Sequence, residues 1–537
     1  MRPQRSFTTI AALAISVMAT AWSPATASAA VPGQFVAKLY TEALGRAPDP
    51  EGWRNAMPYF EQNTCSQSVL AEWGQSLFDS PEYAGLAYDN AAHLLVAYRA
   101  ILNREPDTNG YNQWLQALDN GTSSRAGVVE AMFNSSEFGS LSSKICAGGT
   151  YSFGTQPVMR VPMPASGGYD FKTGQDLQAL IDKSAPGTVI ALRQRSVIVI
   201  DKTLQIRNGI TLATAGSPDS RHHANMARLV RGNQADGKPF NSALIGLAFG
   251  SATHSGTLRN VWVDGQRNSG SAWTLNAINV EIRGGKGVVV KDNFISNTLG
   301  WTGIQARGSF DKFPCSSLRI TNNVITSYSA RHYESGKYTD GLSIGCEGAT
   351  ITGNAVIDAT DVGIAVFPAA TVPQKSVIES NTILSAGNSA FAALGYDGYL
   401  KPDGSQITTS DFKGARLSKN TLWTSPNTHF IIGLSVGSKA WWGGTGLNGD
   451  GGAASGNTSA KIPTNVAIAV GVSGMLNASV LDNSIVANLM PDSDTLCPSG
   501  NVVASVKAGY ASGSIQPYAD QTISGCISDF AAHPPEY

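Results

Sequence analysis

The chain has 537 residues, a formal net charge of −1 and only 14% charged residues, with 57 glycines. Without a basic face it excludes nucleic acid and an anionic membrane surface as partners, and counts against a strongly polyanionic ligand. Abundant Gly, Asn, Ser and Thr fit a turn-rich all-β protein better than a helical one, and the length predicts more than one domain.

The first 29 residues read as a secretory signal peptide: Arg2 and Arg5, an apolar run, then "ASA" at 27–29 as the cleavage site. No later apolar run is long enough to span a bilayer. Export brings an oxidising environment, so the six cysteines are expected as disulfides. Six cysteines allow fifteen pairings; nearest neighbours would join Cys65 with Cys146, Cys315 with Cys346, and Cys497 with Cys526. Zinc-type cysteine spacing is absent, and neither metal nor cofactor is called for.

Residues 31–146 read as helical and duplicated. "LYTEALGRAPDPEGW" (39–53) returns as "AYRAILNREPDTNGY" (97–111), and "FDSPEY" (78–83) as "FNSSEF" (133–138). Asp49 and Asp107 stand where helix caps belong. The two copies resemble a bacterial domain of unknown function repeated in exported proteins, distantly like phycobilisome linker domains. That resemblance implies an attachment module able to meet a cell-surface or protein partner, with no chemistry of its own. Residues 147–166, rich in Gly, Pro and Ser, are expected as a linker.

From 167 to 490 the pattern changes. A helix, a Pro-Gly turn and a strand are expected over 173–192, and two strands over 204–216. An aliphatic–x–x–Asn–x–aliphatic phrase then recurs with Asn293, Asn323, Asn354, Asn381 and Asn420, and again in "VLDNSI" at 480–485; Asn260 opens the series less regularly. A phrase repeated at about one solenoid turn is the mark of a stacked repeat. The asparagines are read as structural, in turn conformations, hydrogen-bonding along the axis. Opening and body together resemble right-handed parallel β-helices of the pectate-lyase-like superfamily. The fold class is therefore a small all-α domain followed by an all-β solenoid, with 491–537 as a disulfide-bonded cap or tail.

Aligning the strands after each Asn phrase gives "WTGIQAR" (301–307), "TDGLSIG" (339–345), "DVGIAVF" (361–367) and "NSAFAAL" (388–394). Ile304, Leu342, Ile364 and Phe391 are expected inward, Gln305, Arg307 and Glu281 outward. Asp340 and Asp361 are expected at the strand mouths, one coil apart and one residue offset, with Cα atoms about 6 Å apart. Two carboxylates at such a spacing suit acid/base glycosidic cleavage, and mutual repulsion would keep one protonated. The alternative is that both merely cap corners, as Asp264 in "WVDGQ" is expected to do.

"TDG" followed by Asp before an aliphatic–Ala–aliphatic run resembles the polygalacturonase family of inverting glycoside hydrolases. Tyr338 stands where that family has Asn, Val362 where it has a second Asp, and its Gly-His-Gly and Arg-Ile-Lys motifs are missing. The resemblance thus implies polysaccharide chemistry through Asp340 and Asp361, not pectin hydrolysis. The loop "YSARHYESGKY" (328–338) supplies Arg331, His332, Tyr333, Glu334, Lys337 and Tyr338 as substrate-binding groups, or a base for a uronate lyase or epimerase. Trp301, Trp441 and Trp442 are candidate sugar platforms; His429 is read as structural. A non-catalytic glycan-binding or adhesion protein is the third reading.

Overall fold

In the computed structural model, residues 31–147, 151–234, 237–268, 271, 273–306, 313–326, 338–369, 372–396, 410–437, 449–472, 475–476, 478–489, 501–509 and 527–529 are described. Among these residues, a domain of eight helices precedes a parallel β-helix.

The helices are α1 (Gly33–Leu44), α2 (Pro50–Gln62), α3 (Gln67–Phe78), α4 (Pro81–Gly85), α5 (Asn90–Ile101), α6 (Thr108–Asp119), α7 (Arg125–Phe133) and α8 (Ser136–Cys146). The duplication is visible in their caps. Asp49 accepts from Gly52 N and Asp107 from Gly110 N, each at 2.8 Å. Arg46 and Arg104, also equivalent, each pair with a glutamate of the last helix of their repeat, Glu82 in α4 and Glu137 in α8. Capping and ion pairing account for these residues. Helices α1 and α5 are buried almost all round, the condition of helices enclosed on every side.

The solenoid opens with α9 (Gly174–Lys183), capped by Thr173, and the strands Val189–Leu192, Leu204–Ile206 and Thr211–Thr214. Each coil then contributes strands to three parallel walls. One wall is an eight-stranded sheet from Val197–Ile200 to Thr421–Thr424. A second stacks Val280–Lys286, Thr302–Ala306, Asp340–Ile344, Val362–Val366, Ala390–Tyr396 and Phe430–Val436. The third carries Val289–Lys291, Arg319–Thr321, Thr350–Thr352, Val377–Glu379 and Ser410–Ser418. Aliphatic side chains of all three fill the interior. At the far end Asn501–Gly509 runs antiparallel to Ser479–Leu489.

The asparagines form one buried ladder. Nδ2 of Asn293 donates to Oδ1 of Asn323, and the pattern repeats through Asn354, Asn381, Asn420, Asn457 and Asn483 at 2.8–3.0 Å. Each acceptor oxygen also takes the backbone N–H of the preceding rung. Two details differ from expectation. The left-handed turn falls on the residue before each rung, such as Asp292, Asn322, Ser380 and Lys419. Asn260 is one of these turn residues, and Val261 holds the rung position.

Residues 151–166 lack regular structure but are packed, with Tyr151, Phe153 and Val161 buried. The helical domain lies on the outer face of the eight-stranded sheet. Trp262, Phe294, Val324, Ile357, Leu384 and Trp423 share one apolar cluster with α1, α2 and α5. Through that interface runs a buried chain of charges: Arg99 pairs with Glu42 and Glu105, and Arg228 with Glu105 and Asp264. Both guanidinium groups lie over the Trp262 ring. Asp264 does cap its corner, accepting from Gln266 N at 2.8 Å, but it is also the end of this ionic chain. Cys65 is bonded to Cys146 and Cys315 to Cys346; Cys497 and Cys526 lie outside the described residues.

Candidate active site

The direction of the Asp340 side chain follows from a glycine column. Register places Thr302 beside Asp340 and Ile304 beside Leu342, then Leu342 beside Ile364. Between these pairs stand Gly303, Gly341 and Gly363. A Cβ on Gly341 would lie 2.3 Å from Val356 Cγ1 and 2.4 Å from the Gly363 carbonyl; on Gly363 it would meet Ile383 and the Ala393 carbonyl. Only glycine fits: a Cβ at Gly341 or Gly363 would point at the core side chains Val356 or Ile383, although the next residues, Leu342 and Ile364, face the core as well, so the in–out alternation breaks here. In a regular strand, residues three apart face opposite sides. Here Ser343 Oγ donates to Asp340 Oδ2 at 2.6 Å, so Asp340 has been turned onto the outer side with Ser343.

Asp340 is 9% exposed. Its Oδ1 accepts the Val362 N–H of the next coil at 3.1 Å, and Thr302 Oγ1 lies 3.2 Å from Ser343 Oγ behind it. Asp361 precedes Val362, the register neighbour of Asp340, which gives the one-coil, one-residue offset expected. It is half-buried, and among the described residues its carboxylate has no hydrogen bond. Burial pushes the Asp361 carboxyl up to about 7. Burial, and then the neighbouring Asp361 charge, hold Asp340 well above the usual carboxylate range. Both carboxyls therefore hold their protons to higher pH than ordinary aspartates, and their titrations are linked.

Around this pair, Trp301 lies one position before Thr302, in the same column as Thr339 and Asp361, and its carbonyl accepts the Asp340 N–H at 2.7 Å. Tyr338 is 37% exposed; burial and the Asp361 charge raise its hydroxyl above the ordinary tyrosine value. Its carbonyl accepts from Trp273 Nε1 at 3.1 Å.

Glu281 and Gln305 align with Ser343 on the outward parity, as expected. Both are nonetheless closed off, 2% and 4% exposed, with Glu281 held by Arg283 at 2.8 Å. Phe391 is a correction. It is not the inward equivalent of Ile364, because register sets Ile364 beside Leu394. Instead Phe391 donates its N–H to the Asp361 carbonyl and packs with Val362, Ala365, Ala392 and Ile432 outside the core. His429 holds Ser389, Nδ1 to Oγ at 3.1 Å. Arg307, Arg331, His332, Tyr333, Glu334, Lys337, Trp441 and Trp442 lie outside the described residues.

Three neighbours escaped the sequence reading. Ser343 looked like ordinary strand filling, and Trp273 lies in a segment without periodicity. Arg267, buried and donating to Thr339 Oγ1 at 3.2 Å, follows Asp264 in a run that resembles a plain turn. Among the described residues no group of three His, Cys, Asp or Glu could hold a metal, and no helix is long and apolar enough to cross a membrane.

A family model described as a domain of unknown function, DUF4214, matches residues 74–142. No curated protein matches the sequence. Among solved structures the chain is similar to the Dettilon tailspike protein (gp208), at 14% identity and a TM-score of 0.34, over 59% of this chain and 63% of that one. It thus spans less than two thirds of the tailspike's length. It is also similar to an endo-xylogalacturonan hydrolase from Aspergillus tubingensis, at 12% identity and a TM-score of 0.34, over 63% of this chain and 98% of that one. A third similarity, to DFA-IIIase from Arthrobacter chlorophenolicus A6 in complex with DFA-III, has 13% identity and a TM-score of 0.31, over 64% and 88% of the two chains.

Proposed function

We propose that the chain is an exported enzyme that cleaves glycosidic bonds of a polysaccharide with Asp340 and Asp361. The observation that carries this reading is the outward turn of Asp340 at Gly341, which sets it beside the half-buried Asp361 of the next coil. Asp361 is the more open of the two, so it is the base that receives a proton from water or attacks directly. Asp340 keeps its proton because a second charge is opposed by burial and by its neighbour; it is the acid that protonates the departing oxygen. Trp301 and Tyr338 flank the pair as apolar faces for sugar rings. The apparent signal peptide and the two disulfides support export.

The test is a panel of neutral and uronate polysaccharides, followed both by new reducing ends and by the ultraviolet absorbance of an unsaturated product. Reducing ends without that absorbance support hydrolysis. Absorbance transfers the chemistry to a lyase built on the 328–338 loop, and saturable binding without cleavage reduces the protein to a glycan-binding one.

A further inference from the structure

The helical domain contains a cavity of about 180 Å³ between its two repeats, lined by Phe78 and Tyr83 of the first, His93, Arg125 and Val129 of the second, and Tyr88 at their junction. Its pseudo-equivalent, with the two repeats exchanging roles, shows what the same architecture does without a ligand to hold. By the repeat alignment Phe35 answers to His93, Phe138 to Tyr83, Phe133 to Phe78 and Gln67 to Arg125. In that equivalent cluster Phe35 lies 6.1 Å from Phe138, which stands edge-on to Phe133 at 5.0 Å. Gln67 folds over it and donates to the Phe133 and Ser135 carbonyls at 2.7 and 3.2 Å. The rings there pack on one another, and the polar side chain is satisfied by backbone.

The cavity keeps the ring geometry, with Tyr83 4.9 Å from Phe78 and 5.8 Å from His93, but changes three side chains. His93, 1% exposed, is bonded through Nδ1 to the Tyr83 hydroxyl at 2.7 Å. Its Nε2 is buried with no hydrogen bond, although the Arg125 main-chain carbonyl also faces the ring. An unpaired buried polar nitrogen costs free energy unless something pairs with it. Arg125 does not fold inward as Gln67 does. Its Nε donates to Asn90 at 2.9 Å, and its two terminal nitrogens stay unpaired among the described residues at the exposed rim.

We infer that this cavity binds a single-ring aromatic carboxylate. An apolar cavity of about 150 Å³ accepts a benzene ring, so this volume holds one ring and little more. Aromatic walls suit a flat face. The free fork of Arg125 matches a carboxylate in bidentate geometry, and His93 Nε2 matches a polar ring substituent at the closed end. Asp79 also lies at the rim, so the ligand's charge must sit on the Arg125 side.

The experiment is calorimetric titration of the full chain with benzoate and 4-hydroxybenzoate, against benzyl alcohol (no charge) and galacturonate (no aromatic ring). Saturable binding of the two aromatic acids is expected, with 4-hydroxybenzoate the tighter. Arg125→Met, a surface change that spares folding, raises Kd at least about tenfold. The pair His93→Phe and Arg125→Gln, which gives the cavity the two substitutions that most distinguish its packed equivalent, abolishes binding. No saturable binding up to about 10 mM, equal binding of benzyl alcohol or galacturonate, or unchanged affinity in Arg125→Met would each overturn the assignment.

Discussion

At Gly341 one missing Cβ sets the direction of the neighbouring carboxylate. The position is closed on two sides, by Val356 and by the Gly363 carbonyl. Gly341→Ala should therefore displace the strand locally, destabilise the protein by about 1–3 kcal/mol and swing Asp340 away from Ser343. Denaturant unfolding measures the first effect, and loss of cleavage the second. The acid pair makes a second prediction at this scale. Both carboxyls are raised in the folded state, so the stability they contribute is complete below the unfolded value of about 3.9. It is lost as pH rises through about 7 at Asp361. Asp361→Asn, neutral throughout, should melt above the unmodified protein at about pH 8 and no higher than it at about pH 5. Catalysis needs Asp361 ionised, so kcat/KM should rise through about 7 and fall at more alkaline pH as Asp340 loses its proton. A profile peaking at about pH 4–5 would contradict this.

At the scale of elements, the solenoid depends on its asparagine ladder. Asn354 donates to Asn381 Oδ1 and the Ile320 carbonyl, and its own Oδ1 takes both the backbone N–H and Nδ2 of Asn323. Asn354→Ala leaves several of these buried groups unpaired and should cost about 3 kcal/mol or more, read from thermal or denaturant unfolding. Much of this level was legible in the sequence, because the rung asparagines recur once per coil in a fixed aliphatic phrase. Asn457 escaped because "SGNTSA" lacks the flanking aliphatics, although the gap between Asn420 and Asn483 is two coils wide. The turn position itself is hard to see in the sequence because its occupant varies from coil to coil, among Asp, Asn, Gly, Ser and Lys, while the rung beside it is constant. Phe391 was set inward by counting from its motif, whereas register follows the inward Leu394. Pattern finds the coils; packing fixes their phase.

At the scale of the whole molecule, the two architectures share one interface. The helical repeats were legible from their duplication and caps, but not their place: nothing in the spacing of Trp262, Phe294 or Trp423 says that helices will cover them. Arg228 at the interface neutralises both Glu105 and Asp264. Arg228→Met leaves the buried Asp264 without its cation and Glu105 with Arg99 alone, and should cost about 3–5 kcal/mol, with both domains melting earlier in one transition rather than two. Calorimetry tests this, and an unchanged β-helix transition beside an earlier helical one would refute the coupling. The site lies on a different wall from the one the helices cover, so these two parts of the account stand separately.

The measurement that bears most directly on the proposed chemistry is kcat/KM of Asp340→Asn and Asp361→Asn on whichever polysaccharide the panel identifies. Each substitution keeps the shape and removes the proton chemistry, and each should lower the rate about 10²–10⁴-fold with the fold intact. Activity within about twofold of the unmodified protein in both variants would show that the paired carboxylates are corner residues and that cleavage happens elsewhere.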